Sequence, residues 1–355
     1  MITTIVAAIV VLGVLIFVHE LGHFIVAKLA RVWVVTFSLG FGPKLFGKKV
    51  GETQYQVSMV PLGGYVKMIG EEPGEKVPPE LLSRSFSAQS LKARFAIVFA
   101  GVFFNYLFAI LAFGVIYMAG MPTLLPEVGE VKPDFPAYQA GLQKGDRILE
   151  VNGTAIQRWD DLARIIHESG GRPLLLKVQR DQKTFAVSVI PQTIGQKNLF
   201  GEEIQIGLIG IGPSGSSAIE RYGPLAATTR AFIQSWRITE LTIVSIVKIF
   251  EGKISAKTIG GPILIAQLAG QQARAGALNL LLLMAIISIN LVVLNLLPIP
   301  VFDGWHILLF LIEGITRQPV SLKLRERAQQ VGIFLIILLM LLVFYNDISR
   351  LIGVQ

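Results

Sequence analysis

The sequence predicts a multi-pass α-helical membrane protein with four transmembrane helices, a membrane-associated β-hairpin or small sheet, and an α+β domain inserted outside the bilayer. Composition supports the membrane class, because 52% of the 355 residues are hydrophobic and 16% are charged, against about 25% charged residues in an average soluble domain. In addition, four long stretches carry no charged residue, and a helix needs about 20 apolar residues to cross the hydrocarbon core.

The four uncharged stretches set the predicted helix boundaries. The first helix continues through a histidine pair, and the fourth needs its flanks to reach spanning length. A cleaved signal peptide is the alternative for residues 1–18, but the stretch has no basic n-region and no small-residue cleavage site. We therefore predict transmembrane helices at residues 1–30, 94–120, 278–303 and 330–347.

Lysine and arginine residues concentrate at residues 31–93 and again at residues 304–329. Under the positive-inside rule, both segments are cytoplasmic loops. Both termini and the large segment between the second and third helices then face the outer side. This placement accounts for the formal charge of +8, so we expect the lipid bilayer, and no nucleic acid, as a partner. The sequence does not indicate an oligomeric state.

The first cytoplasmic loop carries strand signals. Residues 32–39 and 54–68 are rich in β-branched and aromatic residues and lie among Gly-Pro and Gly-Gly pairs. They predict a hairpin or small sheet, with Gly40-Phe41-Gly42 as the turn. An ordinary cytoplasmic hairpin is the alternative to a membrane-reentrant β region, since a sheet at membrane depth must pack on protein or line a cavity.

Residues 126–192 alternate in the manner of strands around one amphipathic helix and predict a soluble α+β domain. Residues 193–277 connect this domain to the third transmembrane helix. Within the connection, residues 239–250 are apolar but interrupted by Glu240 and Lys248. A fifth crossing there would reverse the two helices that follow, so we predict an amphipathic helix on the outer interface.

His19, Glu20 and His23 form the strongest chemical signal. The two histidines stand four residues apart in the first predicted helix, so they project from one face, as two ligands of a single zinc ion do. Glu20 points to the side, where it can act as general base on a water polarised by the metal. A chance match near a helix end is the alternative. Ionisable groups within an apolar helix are costly, however, which favours a functional site.

Asp303 is the predicted third ligand, because it is the only carboxylate between Glu251 and Glu313 and follows the third apolar stretch. Pro298 and Pro300 would break the helix and free the backbone near the metal. The sequence has no cysteine, so a thiolate site is excluded. Two histidines and one carboxylate leave the fourth zinc position open, as catalysis requires. A solvated helix cap is the alternative role for this aspartate.

Three asparagines lie within the predicted apolar helices: Asn105, Asn290 and Asn295. Such amides either make hydrogen bonds between helices or hold an extended substrate backbone beside the metal. Asn290 and Asn295 precede Asp303 on the same element, so we predict substrate binding for these two. Both roles stay open for Asn105.

These residues together resemble the site-2 protease family of intramembrane metallopeptidases (peptidase M50), specifically its bacterial regulator-of-sigma-E protease branch. Phe302 stands where that family usually has leucine before Asp-Gly, which is a conservative change. The motifs that carry the resemblance span nearly the whole chain: His19-Glu20-Leu21-Gly22-His23, Gly40-Phe41-Gly42, Pro61-Leu62-Gly63-Gly64-Tyr65-Val66, Gly101 to Asn105, Gly260-Gly261-Pro262-Ile263, Ser288-Ile289-Asn290 and Asn295 to Gly304.

The resemblance implies a zinc metalloendopeptidase of the bacterial inner membrane, with Zn²⁺ as its cofactor. Its substrates would be single-pass membrane proteins, such as an anti-sigma factor already trimmed outside, or remnant signal peptides. The small sheet would capture the substrate by strand addition. The implied substrate-binding residues of that sheet are Gly40, Phe41, Gly42 and Gly63.

The outer domain at residues 126–192 looks like a bacterial PDZ domain. The similarity runs through Val128-Gly129-Glu130-Val131, Ala140-Gly141-Leu142-Gln143-Lys144-Gly145-Asp146 and Val151-Asn152-Gly153. Many members of the branch carry two such domains in tandem, whereas this sequence contains one. The resemblance implies a periplasmic size filter that rejects untrimmed ectodomains.

Two other functional classes compete with a protease. A metal-free scaffold could bind membrane proteins through the PDZ domain, but it would have no need of a base at Glu20. A metal-ion transporter would need polar residues along several helices, and the second and fourth predicted helices offer almost none.

Overall fold

The computed structural model describes residues 2–72, 74–198 and 202–353. The chain divides into two compact units, which we call the helical unit and the inserted unit. The helical unit contains Met1–Ile116, Pro224–Ile246 and Ser255–Gln355, and the inserted unit contains Tyr117–Gly223 and Val247–Ile254.

The helices and strands follow in chain order. The helices are α1 (Ile2–Leu29), α2 (Leu91–Ala119), α3 (Pro136–Gln139), α4 (Trp159–Glu168), α5 (Pro224–Phe250), α6 (Pro262–Ala275), α7 (Ala277–Leu296), α8 (Asp303–Thr316) and α9 (Leu322–Ile352). The strands are β1 (Val34–Val50), β2 (Thr53–Met68), β3 (Met121–Leu124), β4 (Val128–Val131), β5 (Arg147–Val151), β6 (Thr154–Ala155), β7 (Leu174–Arg180), β8 (Lys183–Val189), β9 (Gln192–Lys197), β10 (Glu203–Leu208), β11 (Ile211–Pro213) and β12 (Ser217–Glu220).

Four helices in the described part of the chain are long and apolar enough to cross a membrane, namely α1, α2, α7 and α9. This number agrees with the sequence prediction. The 27-residue helix α5 is not among them, because its charged residues lower its hydropathy. Helices α1 and α2 approach closely at Gly22, where an added Cβ would lie 2.4 Å from the carbonyl oxygen of Ala100.

The hairpin turn lies at Gly51 and Glu52, between β1 and β2. The predicted turn at residues 40–42 therefore does not connect the two strands, since these residues lie inside β1. Type I′ and II′ hairpin turns need positive φ at the first of two central residues, and Gly51 supplies it with φ of 60°. Gly40 and Gly42 also have positive φ but are separated by Phe41, and the pairing register of the strand shifts around them.

The two long strands fold back on themselves. Residues 36–39 of β1 pair with residues 64–67 of β2 and also with residues 54–57 of the same strand. Four short segments therefore lie side by side, in the order 64–68, 34–39, 53–58 and 44–50. Phe37 packs edge-on against Phe17 and Phe24 of α1, which fixes the small sheet on the helix that carries the histidine pair.

The segment at residues 304–329, predicted as a loop, instead contains most of helix α8 and the start of α9. Its apolar residues Leu309 and Phe310 are buried, and Arg94 at the start of α2 pairs with Glu313. These tertiary contacts stabilise a 14-residue helix that is too short to be predicted as a transmembrane span.

The inserted unit has a four-stranded sheet in the order β6-β5-β7-β8, covered by α3 and α4. Its core includes Val128, Ile148 and Leu176, and each buried side chain of this size stabilises the fold by about 1.5–3 kcal/mol. The same core contains Ile209, and β11 pairs with β4. The unit therefore extends beyond the predicted end at residue 192, because β11 returns to pair with the early strand β4.

Candidate metal centre

His19, His23 and Asp303 come together, with one ligand atom from each lying within 4.8 Å of the others. The Nε2 atoms of the two histidines are 3.2 Å apart. Asp303 Oδ2 lies 3.2 Å from Nε2 of His19 and 3.5 Å from Nε2 of His23. The histidines stand one turn apart on α1, and the aspartate is the first residue of α8.

The donor atoms of this cluster fit a zinc ion. At ligand distances of about 2.0–2.1 Å, the edges of a zinc tetrahedron measure about 3.3 Å, which is close to the three separations. His23 Nδ1 donates to the carbonyl oxygen of Ile97 at 2.8 Å, so its Nε2 carries a lone pair. Asp303 Oδ2 is buried without a hydrogen-bond partner among the described residues. Electron pairs that converge in this way repel one another unless a cation lies between them.

Helix α2 forms the wall behind the two histidines. A Cβ added to Gly101 would lie 2.3 Å from His23 Nε2, so only glycine leaves room for both imidazoles. One turn further along, Asn105 Nδ2 lies 3.4 Å from His19 Nδ1. Ser288 of α7 donates its hydroxyl to the Asn105 carbonyl at 2.8 Å and holds this part of α2 in place.

The side chain of Asn105 can orient His19. Its Oδ1 is buried and has no hydrogen-bond partner in the described chain. Rotation of the amide by 180° exchanges Oδ1 with Nδ2 and lets Oδ1 accept from the Nδ1–H of His19. That hydrogen bond would keep the lone pair of this imidazole on Nε2, facing the cluster, as outer-shell partners of zinc ligands usually do.

A cavity of about 800 Å³ opens onto the cluster and lies within the helical unit. Glu20 lines it beside the two histidines, and Asn295 lines it from the end of α7. Residues 64–68 of the small sheet also line it. A Cβ added to Gly64 would lie 3.0 Å from the Glu20 Cγ, so the sheet passes directly beside the candidate base.

Comparison with known proteins identifies the family of this chain. The profile of Peptidase family M50 matches residues 7–339, which is most of the chain. The chain belongs to peptidase family M50. As a member of this family with relatives named zinc metalloproteases, it is a zinc metalloprotease.

Relatives of this M50 protein match it over nearly their whole length. It is 30% identical to the Regulator of sigma-E protease RseP of Escherichia coli, with 97% of this chain and 98% of that protein covered. It is 38% identical to a Campylobacter jejuni protein provisionally named a zinc metalloprotease, with 98% and 94% covered. The alignment with the E. coli protein spans 446 positions, so that protein contains insertions relative to the 355 residues here.

A solved PDZ domain from Listeria monocytogenes aligns with 24% of this chain and 84% of that domain, at 24% identity and a TM-score of 0.20. A likeness this weak carries no argument about the inserted unit. Its PDZ character therefore stays a prediction.

The predicted substrate-binding residues of the sheet lie together. The ring of Phe41 covers Gly63, where an added Cβ would lie 2.0 Å from the ring. The same ring stacks on Tyr65, with centroids 6.1 Å apart and planes inclined by 6°. Gly40 and Gly42 flank it with φ of 94° and 84°. Substrate binding by these residues stays a prediction.

Asn290 is not among the residues that line the cavity. It precedes Asn295 by five positions, which turns its side chain by about 140° around the helix axis. Its Oδ1 accepts a hydrogen bond of 2.8 Å from the hydroxyl of Thr242 in α5. A substrate role for Asn290 stays a prediction.

Sequence reasoning missed the Ile97 carbonyl beside His23 and the cavity-lining Arg325. It also missed Thr242, the hydrogen-bond partner of Asn290. Backbone carbonyls leave no signal in side-chain patterns. Gly101 was noted only through the family resemblance, and the role of Asn105 was left open. Their spacing of four places them on one helix face and could have linked them to the histidines.

Proposed function

We propose that this protein hydrolyses peptide bonds inside the transmembrane segments of single-pass membrane proteins, with Zn²⁺ held by His19, His23 and Asp303. The observation that carries the proposal is the convergence of three lone-pair donors on one cavity, two of them from the apolar helix α1. Polar groups in such surroundings are costly, and their presence indicates function.

The zinc ion, Glu20 and Asn295 have different roles in the proposed hydrolysis. Zinc, when bound, supplies Lewis-acid polarisation of the scissile carbonyl and of the attacking water. Glu20 lines the cavity outside the three converging ligands, so its carboxylate can accept the proton of that water. It then delivers the proton to the leaving amide nitrogen. Asn295 is placed to hold the substrate backbone through its side-chain amide.

The substrate helix must unwind before hydrolysis, because a helix engages its carbonyls in internal hydrogen bonds. Within the described residues, the segment at 64–68 pairs on one side only, with residues 34–39, and it lines the cavity. A substrate strand added to this free edge replaces the lost backbone hydrogen bonds. It also brings the substrate past Glu20.

Substrate choice depends on the inserted unit. We propose that it acts as a PDZ-type size filter on the periplasmic side of the bacterial inner membrane, with both termini on that side and the zinc site near the cytoplasmic side. The name of the E. coli relative concerns regulation of sigma-E. The corresponding substrates here are an anti-sigma factor already trimmed outside, or remnant signal peptides.

Glu20→Gln tests the mechanism in the full chain, reconstituted with a single-pass substrate. Loss of the general base lowers the cleavage rate by about 10²–10⁴-fold, whereas zinc content measured by mass spectrometry stays at the wild-type level. Glu326→Gln, at an exposed position of α9, is the matched control and cleaves at the wild-type rate. Unchanged cleavage by Glu20→Gln would reject Glu20 as the general base. If zinc-loaded wild type cleaved no single-pass substrate, a PDZ-containing scaffold would be the better interpretation.

A further inference from the structure

Three long cationic side chains line the cavity, and two of them are neutralised by carboxylates. Lys67 pairs with Glu72 at 3.3 Å. Arg94 pairs with Glu313 across the interface between α2 and α8. Arg325 differs, because its side chain forms no ion pair and no hydrogen bond with any residue of the described chain.

Arg325 lies in the first turn of α9 and is half-buried. Its Nε is shielded from solvent and lacks an acceptor among the described residues. His306, one turn along α8 from Asp303, lines the same cavity as Arg325. Burial lowers the pKa of its imidazole, the charge of Asp303 raises it, and the charge of Arg325 lowers it further. Arg325 therefore lines the same cavity as the metal ligands and Glu20.

A guanidinium without a counter-ion has a specific chemical preference. Its planar N–H groups match the two oxygens of a carboxylate, and such bidentate pairs are among the strongest hydrogen-bonded contacts in proteins. A buried donor that lacks a partner within the protein is costly and is usually satisfied by a ligand or by water. Within this cavity the incoming ligand is the substrate.

We propose that Arg325 is a carboxylate-binding subsite of the protease, a proposal that rests on the peptidase function above. Two sources supply this chemistry. One is an acidic side chain of the substrate near the scissile bond. The other is the product, since hydrolysis adds water across the amide and leaves one fragment with a carboxylate terminus and the other with an ammonium terminus.

Paired substrates test the side-chain source. Each pair places glutamate or glutamine at successive positions beside the scissile bond, and cleavage by the full chain is followed for wild type, Arg325→Gln and Arg327→Gln. We expect wild type to prefer glutamate at one position by about tenfold in kcat/KM, and the difference to lie in KM. A tenfold preference corresponds to about 1.4 kcal/mol, which one charge-assisted hydrogen bond can supply. Arg325→Gln reduces that ratio to about one. Arg327 is exposed on the same helix and does not line the cavity, so Arg327→Gln keeps the wild-type ratio.

Paired peptides test the product source. Peptides that end in a free carboxylate or in a carboxamide are titrated into the Glu20→Gln protein, with and without Arg325→Gln, and binding is measured by fluorescence. A preference of about tenfold for the carboxylate that disappears with Arg325→Gln assigns the subsite to the product.

The two arms also separate this proposal from the peptidase function. Binding does not require turnover. If wild type fails to cleave, the peptide titration therefore still tests whether Arg325 binds a carboxylate. If wild type and Arg325→Gln show the same glutamate-to-glutamine ratio and the same carboxylate-to-carboxamide ratio, the subsite does not exist.

Discussion

Two carboxylates of the helical unit are shielded from solvent in opposite ways. Asp347 is 2% exposed and accepts backbone N–H groups from Gly261 and Ile263 at 2.9 Å and from Leu264 at 3.2 Å. Asp303, in contrast, has a buried Oδ2 with no hydrogen-bond donor among the described residues and faces two imidazole nitrogens.

The difference separates a structural carboxylate from a functional one. Asp347 satisfies the free N–H groups at the start of α6, where the helix dipole also favours a negative charge. Its hydrogen bonds are complete without any ligand. The Asp303 cluster is incomplete until a cation binds. Burial alone therefore does not identify a metal ligand, whereas burial combined with an unsatisfied lone pair does.

Asp303→Asn has the largest expected effect. An amide oxygen is a weaker zinc ligand than a carboxylate, so zinc content falls and cleavage drops by about 10³-fold or more, as the metal contributes several kcal/mol to catalysis. Zinc content is measured by mass spectrometry on the purified, folded variant. Zinc retained at full occupancy in this variant would exclude Asp303 as a ligand.

Gly101→Ala should have the second-largest effect on the metal centre. Its Cβ would lie 2.3 Å from His23 Nε2, so the imidazole must move, and we expect zinc affinity to fall by about 10²-fold, at the upper end of what disturbed ligand orientation costs. Zinc affinity is measured by competition with a chelator. Gly114→Ala is the control, because Gly114 lies on the same helix with nothing within 4 Å of its added Cβ. Equal affinities of the two variants would contradict the tight wall behind the histidines.

The features that the sequence predicted can be read from neighbouring residues in the chain. The number of apolar helices follows from uninterrupted hydrophobic length, and the pairing of His19 with His23 follows from helix periodicity. Asp303 could be nominated because few carboxylates were available nearby in the sequence. Each of these inferences needs only one stretch of chain.

The features that the sequence did not predict depend on contacts between distant segments. The register of β1 and β2, the return of β11 to β4 and the hydrogen bond from Thr242 to Asn290 each join residues that no local pattern relates. Helix α8 was missed because its burial comes from α2 and the small sheet. Tertiary packing decides such elements more than intrinsic propensity does.

Asn105→Ala should have a smaller effect than the change at Gly101. It removes the amide beside His19 Nδ1 without placing an atom among the ligands, so zinc affinity falls by about 10–100-fold, the usual cost of losing an outer-shell partner. The measurement is the same chelator competition. Asn105→Asp restores an acceptor for the Nδ1–H and recovers part of the affinity. Wild-type affinity in the alanine variant would show that His19 is oriented by other contacts.

Asp347→Asn should leave the metal centre unchanged. The amide keeps one oxygen to accept backbone N–H groups but loses the charge and the second acceptor, so the free energy of unfolding falls by about 1–3 kcal/mol. Thermal melting in detergent measures the loss, and zinc content and kcat per folded molecule stay at wild-type values. Zinc content therefore distinguishes the two aspartates, since Asp347→Asn keeps the metal and Asp303→Asn loses it. Loss of zinc from Asp347→Asn at temperatures where it remains folded would mean that the start of α6 is coupled to the metal site, and the division between structural and functional carboxylates would then fail.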